Sequence, residues 1–281
     1  DVRIIYNELY NASGQNYKPK DDCAVFKALQ DYGIIIFIKK YKQDEYNHHV
    51  LYYRINPRRV LENHNYIGIF NSKNIDKLIK KFNILIKTVS PFLPEFDSCN
   101  ISRIDYCSNV ELNDQAVIDS YINLLKRGYF PSKYTIKKYK NKKSKRNTLS
   151  KNGITITGNN GIEVTYYNKY RQLKEKNPKC RYIDNSKKII RIEIRCFKKK
   201  VRHLTKKFKC TSASSFLKES DIIGKYIFKH YANIFYGTGD FYKLTDIYAM
   251  IDKSSCKKKS KKLMKELVKS SATHSSLDRA F

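Results

Sequence analysis

Apolar and polar residues alternate along several stretches of this chain as strands require, with successive side chains leaving on opposite faces. In Ile189-Ile-Arg-Ile-Glu-Ile-Arg195 the count puts Ile190, Ile192, Ile194 and Cys196 on one face and Arg191, Glu193 and Arg195 on the other. Ile101-Ser-Arg-Ile-Asp-Tyr-Cys107 sets Arg103 beside Asp105 by the same rule. In Ile162–Tyr167, Ile162, Val164 and Tyr166 oppose Glu163, Thr165 and Tyr167. Gly153–Thr157 precedes it across Gly158-Asn-Asn-Gly161, which predicts a hairpin with a glycine-asparagine turn. Gly33–Ile38 and His49–Ile55, β-branched and aromatic runs with turn formers between them, predict two more antiparallel strands.

Elsewhere the period lengthens. Apolar residues at 75, 78, 79, 82, 85, 86 and 89 predict an amphipathic helix, opened by Asn71, Ser72 and Asn74 and ended by Pro91 and Pro94. A second helix, from about Gln115 to Arg127, turns Val117, Ile118, Tyr121, Ile122 and Leu125 inward and stops at Gly128. A short basic helix is expected from about Asn168 to Lys176. Beyond Lys200 the pattern is helical, stepping through Ile222, Ile223, Tyr226, Ile227 and Tyr231, then Leu244, Ile247, Tyr248 and Ile251. A basic helix from about Lys257 to Val268 comes last. The expected fold is α+β: a central antiparallel sheet with helices on one face over residues 1–205, and a small helical domain over 206–281.

Charge narrows the choice of partner. Among 281 residues there are 57 Lys and Arg against 26 Asp and Glu, a formal net charge of +31. A surplus of that size predicts a polyanion, since neutralising phosphates releases condensed counterions. Nucleic acid is the first expectation, although a composition rich in Lys, Ile, Asn and Tyr also reflects AT-rich coding. An anionic membrane surface is the competitor, but there is no run of about 18 apolar residues and no signal-peptide pattern. A cytoplasmic protein with no membrane partner is expected. The chain opens at Asp1 rather than at methionine, as a fragment does. Seven scattered cysteines, an odd number without close pairing, predict reduced thiols rather than a disulfide framework or zinc site.

Residues 133–151 hold nine lysines and arginines and no acid. Such a run lacks the periodicity to pack. It reads as a solvated loop or as a loop gripping a nucleic-acid backbone through Lys137, Lys138, Lys140, Lys142, Lys143, Lys145 and Arg146, and the absence of neutralising acids favours the second.

Candidate chemistry sits on the polar strand faces. Asp105 and Glu193 lie among Arg103, Arg191 and Arg195, either as ion pairs or as oxygen ligands suited to Mg²⁺ or Mn²⁺ with the three arginines binding the DNA phosphate. Tyr167 ends its strand on the polar face, with Lys169 two residues on and Tyr170 a helical turn away. A tyrosine near a metal-bound phosphate can attack phosphorus and hold a DNA end covalently. With a pKa near 10, it needs a lysine or metal beside it.

The order Asn56-Pro-Arg-Arg-Val-Leu61, Asn63-His-Asn-Tyr-Ile-Gly68, Ile101-Ser-Arg-Ile-Asp105, Val164-Thr-Tyr-Tyr-Asn-Lys169 and Ile190-Arg-Ile-Glu-Ile-Arg195 resembles the gene II protein family of filamentous-phage replication initiators. It is similar also to rolling-circle initiators of Gram-positive plasmids and to relaxases of integrative elements, over roughly residues 33–205. The resemblance implies a site-specific nicking and joining enzyme at origin DNA that leaves a 5′-phosphotyrosine and a free 3′-hydroxyl, with host helicase and polymerase as partners. It implies metal ligation by Asp105 and Glu193, nucleophilic attack by Tyr167 and assistance by Lys169. A shift of one residue would select Tyr166, but alternation independently prefers Tyr167. Many such enzymes carry two histidines flanking an apolar residue, and this chain has none; His49 is either a third ligand or a hairpin-edge residue. The rival expectations are a non-catalytic DNA-binding initiator or repressor, whose acids only pair with arginines, and a metal-dependent nuclease that hydrolyses with water.

Overall fold

The computed structural model describes Ile5 and residues 23–43, 46–62, 67–127, 130–140, 147–148, 150, 152–236 and 244–274. The chain divides into two compact units, residues 1–229 and 230–281.

In the first unit, β1 (Cys23–Phe26), β2 (Ile34–Gln43) and β3 (Tyr46–Ile55) form an antiparallel sheet in that order. Gly33, at φ 81°, turns the chain into β2 with a backbone conformation that side chains resist. Ile34, Ile36 and Ile38 alternate onto the inner face and are buried. Against them lies an amphipathic helix. The short α1 (Pro57–Val60) is capped by Asn56, and α2 (Ile75–Lys87) follows a turn capped by Asn71. Leu78, Phe82 and Ile86, one turn apart, fill the core, where Phe82 meets Tyr53 and Phe96 edge-on at 5.1 and 5.5 Å.

The larger sheet is built from β4 (Arg103–Glu111), β5 (Tyr134–Ile136), β8 (Gly153–Gly158), β9 (Ile162–Asn168) and β10 (Ile189–Phe197). Its order is β4-β10-β9-β8-β5, antiparallel throughout. The β8–β9 hairpin turns through Asn159, Asn160 and Gly161, with Gly161 at φ 77°. Ile154, Ile156, Ile162, Val164, Tyr166, Ile190, Ile194 and Cys196 make its apolar face. Helices cover that face: α3 (Gln115–Arg127) through Ile118, Ile122 and Leu125, and, after α4 (Lys169–Lys176), α5 (Lys198–Lys207) through Val201 and Leu204. Tyr121, expected inward, is exposed because its position on α3 faces away from the sheet. They are followed by α6 (Ala213–Lys218) and α7 (Ser220–Tyr236), whose Gly224 lies so close to Tyr106 that a β-carbon would stand 3.2 Å from its ring.

The expectation of an irregular loop over 133–151 is corrected at its start. Tyr134–Ile136 pairs with β8 as an edge strand, and Tyr134 is buried over Gly158, where the missing side chain leaves room for its ring. β6 (Tyr139–Lys140) pairs with β7 (Asn147–Thr148). Residues 141–146, with Lys142, Lys143, Lys145 and Arg146, lie outside the described residues, as do 149 and 151.

The second unit contains α8 (Leu244–Lys253) and α9 (Lys258–His274). Lys265 joins them, 2.6 Å from Asp252 and over the Tyr248 ring. No described helix is long and apolar enough to cross a membrane.

Candidate functional site

The register of the larger sheet aligns its polar face into rows across the strands. Arg191 stands between Asn109 and Tyr167, with Gly153 beyond; Glu193 stands between Cys107 and Thr165, with Thr155 beyond; Arg195 stands between Asp105 and Glu163, with Thr157 beyond. Alternation therefore delivers Asp105, Glu193 and Tyr167 to one surface.

Tyr167 occupies the polar face while Tyr166 goes to the core, as its facing predicts. It is not, however, at an exposed strand end. Only 9% of Tyr167 is accessible, because its ring lies under the Lys169 ammonium, 5.9 Å from the ring centre, and its hydroxyl turns onto Glu193, donating to Oε1. Burial raises the phenol's pKa, and the negative charge and hydrogen bond of Glu193 raise it further. Gly153 makes this placement possible. A β-carbon there would fall 2.7 Å from Tyr167 Cβ and against the Tyr166 carbonyl oxygen.

Lys169 is fixed by the turn from strand to helix. Asn168, wholly buried, ends β9 and caps α4, accepting from the Arg171 amide at 3.1 Å and donating to Gln115 Oε1 at 2.8 Å. The adjacent Lys169 is buried and donates to Gln172 Oε1 at 2.8 Å. Burial, reinforced by the charge of Arg191, lowers its pKa to about 8 despite the opposing charge of Glu193.

The carboxylates are held by cations. Arg103 forks onto Asp105 at 2.8 and 2.6 Å. Arg195 lies among three acids, 3.4 Å from Asp105 Oδ2, 3.3 Å from Glu163 Oε2 and 3.5 Å from Glu193 Oε2. Glu163 also receives Lys137 at 2.7 Å. Burial alone would raise the Glu163 pKa, but the hydrogen bonds and charges of Lys137 and Arg195 outweigh it and hold the carboxyl below its ordinary range. Arg191 is buried, giving Nε to Asn109 Oδ1 at 2.8 Å and Nη2 to the Ile67 carbonyl, which also accepts from Asn109 at 2.9 Å. Arg58 reaches the neighbouring Gly68 carbonyl. Described parts of the five motif segments quoted from the sequence thus meet around one face.

Glu163 and Asn109 complete the site beyond the residues selected from the sequence. Alternation puts Glu163 on the face of Tyr167 and Asn109 on that of Asp105, but only the strand order brings those faces together around Arg195 and Arg191. Of the basic run, Lys137 is committed to Glu163, Lys138 is exposed, and Lys140 lies in β6. His49 is exposed on β3 opposite Lys40, in the smaller sheet. Among the described residues no three His, Cys, Asp or Glu side chains converge as a metal-holding group. The donors present are nonetheless hard oxygens, and Mg²⁺ is commonly held by one or two carboxylates with water and phosphate completing its shell. Asp105 and Glu193, sharing the Arg195 cation, fit that modest requirement.

A cleft of about 2680 Å³ opens on this face, lined by Asp105, Tyr167, Lys169, Arg191 and Glu193 among others. Comparison with family models, with curated proteins and with solved structures finds no match for this chain.

Proposed function

We propose that this protein is a rolling-circle replication initiator or relaxase, which nicks one strand of origin DNA through Tyr167 and rejoins it. The observation that carries the reading is the Tyr167 hydroxyl donating to Glu193, beside a buried lysine, on a cleft in a chain of charge +31. Glu193 Oε1 accepts the phenolic proton. The tyrosine oxygen bonds to phosphorus as the bond to the 3′-oxygen breaks; the 3′-oxygen leaves and is protonated from solvent, and rejoining reverses these steps. Lys169 lends positive charge to the phenolate. Arg103 and Arg195 turn from the acids toward the phosphate when the strand enters. A divalent Mg²⁺ or Mn²⁺ at Asp105 and Glu193 supplies, when bound, a charge that polarises the phosphate. The free 3′-hydroxyl then serves polymerase, and a helicase extends the opening.

The test is incubation with single-stranded origin DNA and Mg²⁺ or Mn²⁺, followed by denaturing electrophoresis. An SDS-resistant adduct, absent in Tyr167→Phe, is expected. A nick without adduct would favour a hydrolytic nuclease instead.

One observation favours a second reading, a DNA-binding initiator or repressor without catalysis. Asp105 and Glu163 are each engaged by two cations, as a purely structural network requires. In that case DNA binds without nick or adduct under any metal.

A further inference from the structure

The outer face of the β1-β2-β3 sheet has no part in the chemistry above, yet its composition is specific. Register puts Phe37 opposite Tyr52 and Val25, Lys39 opposite Val50, and Ile35 opposite Arg54. The Arg54 guanidinium stacks over Phe37 at 4.7 Å, the Lys39 ammonium lies 5.6 Å from the Tyr52 ring centre, and the Tyr41 and Tyr52 hydroxyls meet at 3.0 Å. Tyr41 is 44% exposed, and Lys39 and Arg54 are also exposed. Among the described residues this face carries no carboxylate. The inner face of the same sheet already packs on a buried core of Phe26, Ile34, Ile36, Ile38 and Phe82, so the aromatics are not needed outside to close the fold. The cleft joins the two surfaces: Ile35, Phe37, Lys39, Tyr52 and Arg54 line it together with Asp105, Tyr167 and Glu193.

We propose that this face is a single-strand DNA platform, on which bases stack against Tyr41, Tyr52 and the Arg54–Phe37 pair while Lys39 and Arg54 meet backbone phosphates. A flat sheet bearing rings and cations suits unpaired bases, whose faces are free to stack; paired bases hide those faces and offer a helix or ribbon only their edges. Stacking tolerates any sequence because every base has a π-face. The platform rests on the proposed nicking function only for its purpose: it holds the strand that leads to Tyr167.

The test uses the full chain in EDTA, so that no metal-dependent cleavage intrudes, with fluorescently labelled oligo(dT) and an abasic strand of equal length. Wild-type protein binds oligo(dT) the more tightly. Phe37→Leu and Tyr52→Leu, which keep apolar bulk and remove the aromatic plane, each weaken oligo(dT) binding about tenfold, within the range for one lost stack, and leave abasic binding unchanged. Lys39→Gln and Arg54→Gln weaken both strands at low salt. Thermal melts establish that each variant folds, and exposed Tyr41→Ala serves as the stacking test should either leucine variant not. Equal binding of oligo(dT) and abasic strands by wild type overturns the proposal. So does unaltered oligo(dT) binding in folded stacking variants, or a concentration-dependent dimer that these substitutions dissolve. Failure of wild type to form a covalent adduct with metal present sinks the nicking function and leaves the platform standing.

Discussion

Tyr167, Glu193 and Lys169 form a unit in which each side chain changes what the others can do. The phenol is raised in pKa by burial and by Glu193, so it is inert until its proton has somewhere to go and its charge is compensated. Tyr167→Phe is expected to abolish the adduct while DNA affinity changes less than twofold, as read by gel and by anisotropy. Asp105→Ala and Glu193→Ala are each expected to lower nicking by orders of magnitude, with the fold retained in circular dichroism; nicking that persists in both variants in EDTA would show that these carboxylates only pair with arginines and hold no metal. Lys169 permits a test independent of activity. Its folded pKa is about 8, whereas an unfolded lysine holds its proton to about 10.4. The cost of burying the ammonium is therefore present in full below pH 8 and is relieved as pH rises toward 10.4, where the unfolded state binds more protons. Relative to Lys169→Met, wild type gains stability across that window, measured as the urea midpoint at pH 7.5 and 10.

At the scale of elements, strand pairing turns single residues into a surface. Gly153 is the clearest case, because β8 approaches the β9 backbone at Tyr167 only without a side chain. Gly153→Ala forces β8 and β9 apart. A displacement of about 1 Å at a reacting group can cost on the order of 10²-fold in rate, and a loss of that size in adduct formation is expected with the fold intact. Packing supplies a second case. Phe82 is wholly buried where α2 crosses the smaller sheet, and Phe82→Ala is expected to lower unfolding free energy by about 3–5 kcal/mol. The sequence announced these elements through periodicity: the 3.6-residue spacing over 75–89 became α2, and the alternation over 162–167 became β9. It did not announce that β2 and β3 leave the central sheet to pair with β1, since alternation names a strand's two faces and not its neighbour.

For the whole molecule the dominant quantity is the surplus of 31 positive charges. The larger sheet consumes several of them internally, with Lys137, Arg103, Arg191 and Arg195 turned toward protein acceptors. On the proposed function, phosphate contacts come from Arg103 and Arg195 once they turn from the acids, and from cations elsewhere, including the rest of the basic run. Replacing Lys138, Lys140, Lys142 and Lys143 with glutamine is expected to flatten the slope of log affinity against log salt by about 2 to 4, at roughly 0.7–0.9 per phosphate contact. The ratio of origin to scrambled affinity should hardly move, since backbone contacts position without reading sequence. An unchanged slope would shift the contact to α9, whose lysines are the next concentration of charge.

Local rules sufficed for the elements and for the faces of their strands. Period and turn chemistry placed α2, α3 and the β8–β9 hairpin, and alternation separated Tyr166 from Tyr167, because side-chain direction follows from backbone geometry within a few residues. Only the tertiary structure could decide what stands across each strand. That Arg195 lies between Asp105 and Glu163, that Glu193 accepts from Tyr167, and that Lys137 is drawn out of the basic run onto Glu163 depend on pairings between segments dozens of residues apart. Burial of Tyr167 and Lys169, and with it the pKa of each, depends likewise on everything packed around them, which no local pattern specifies.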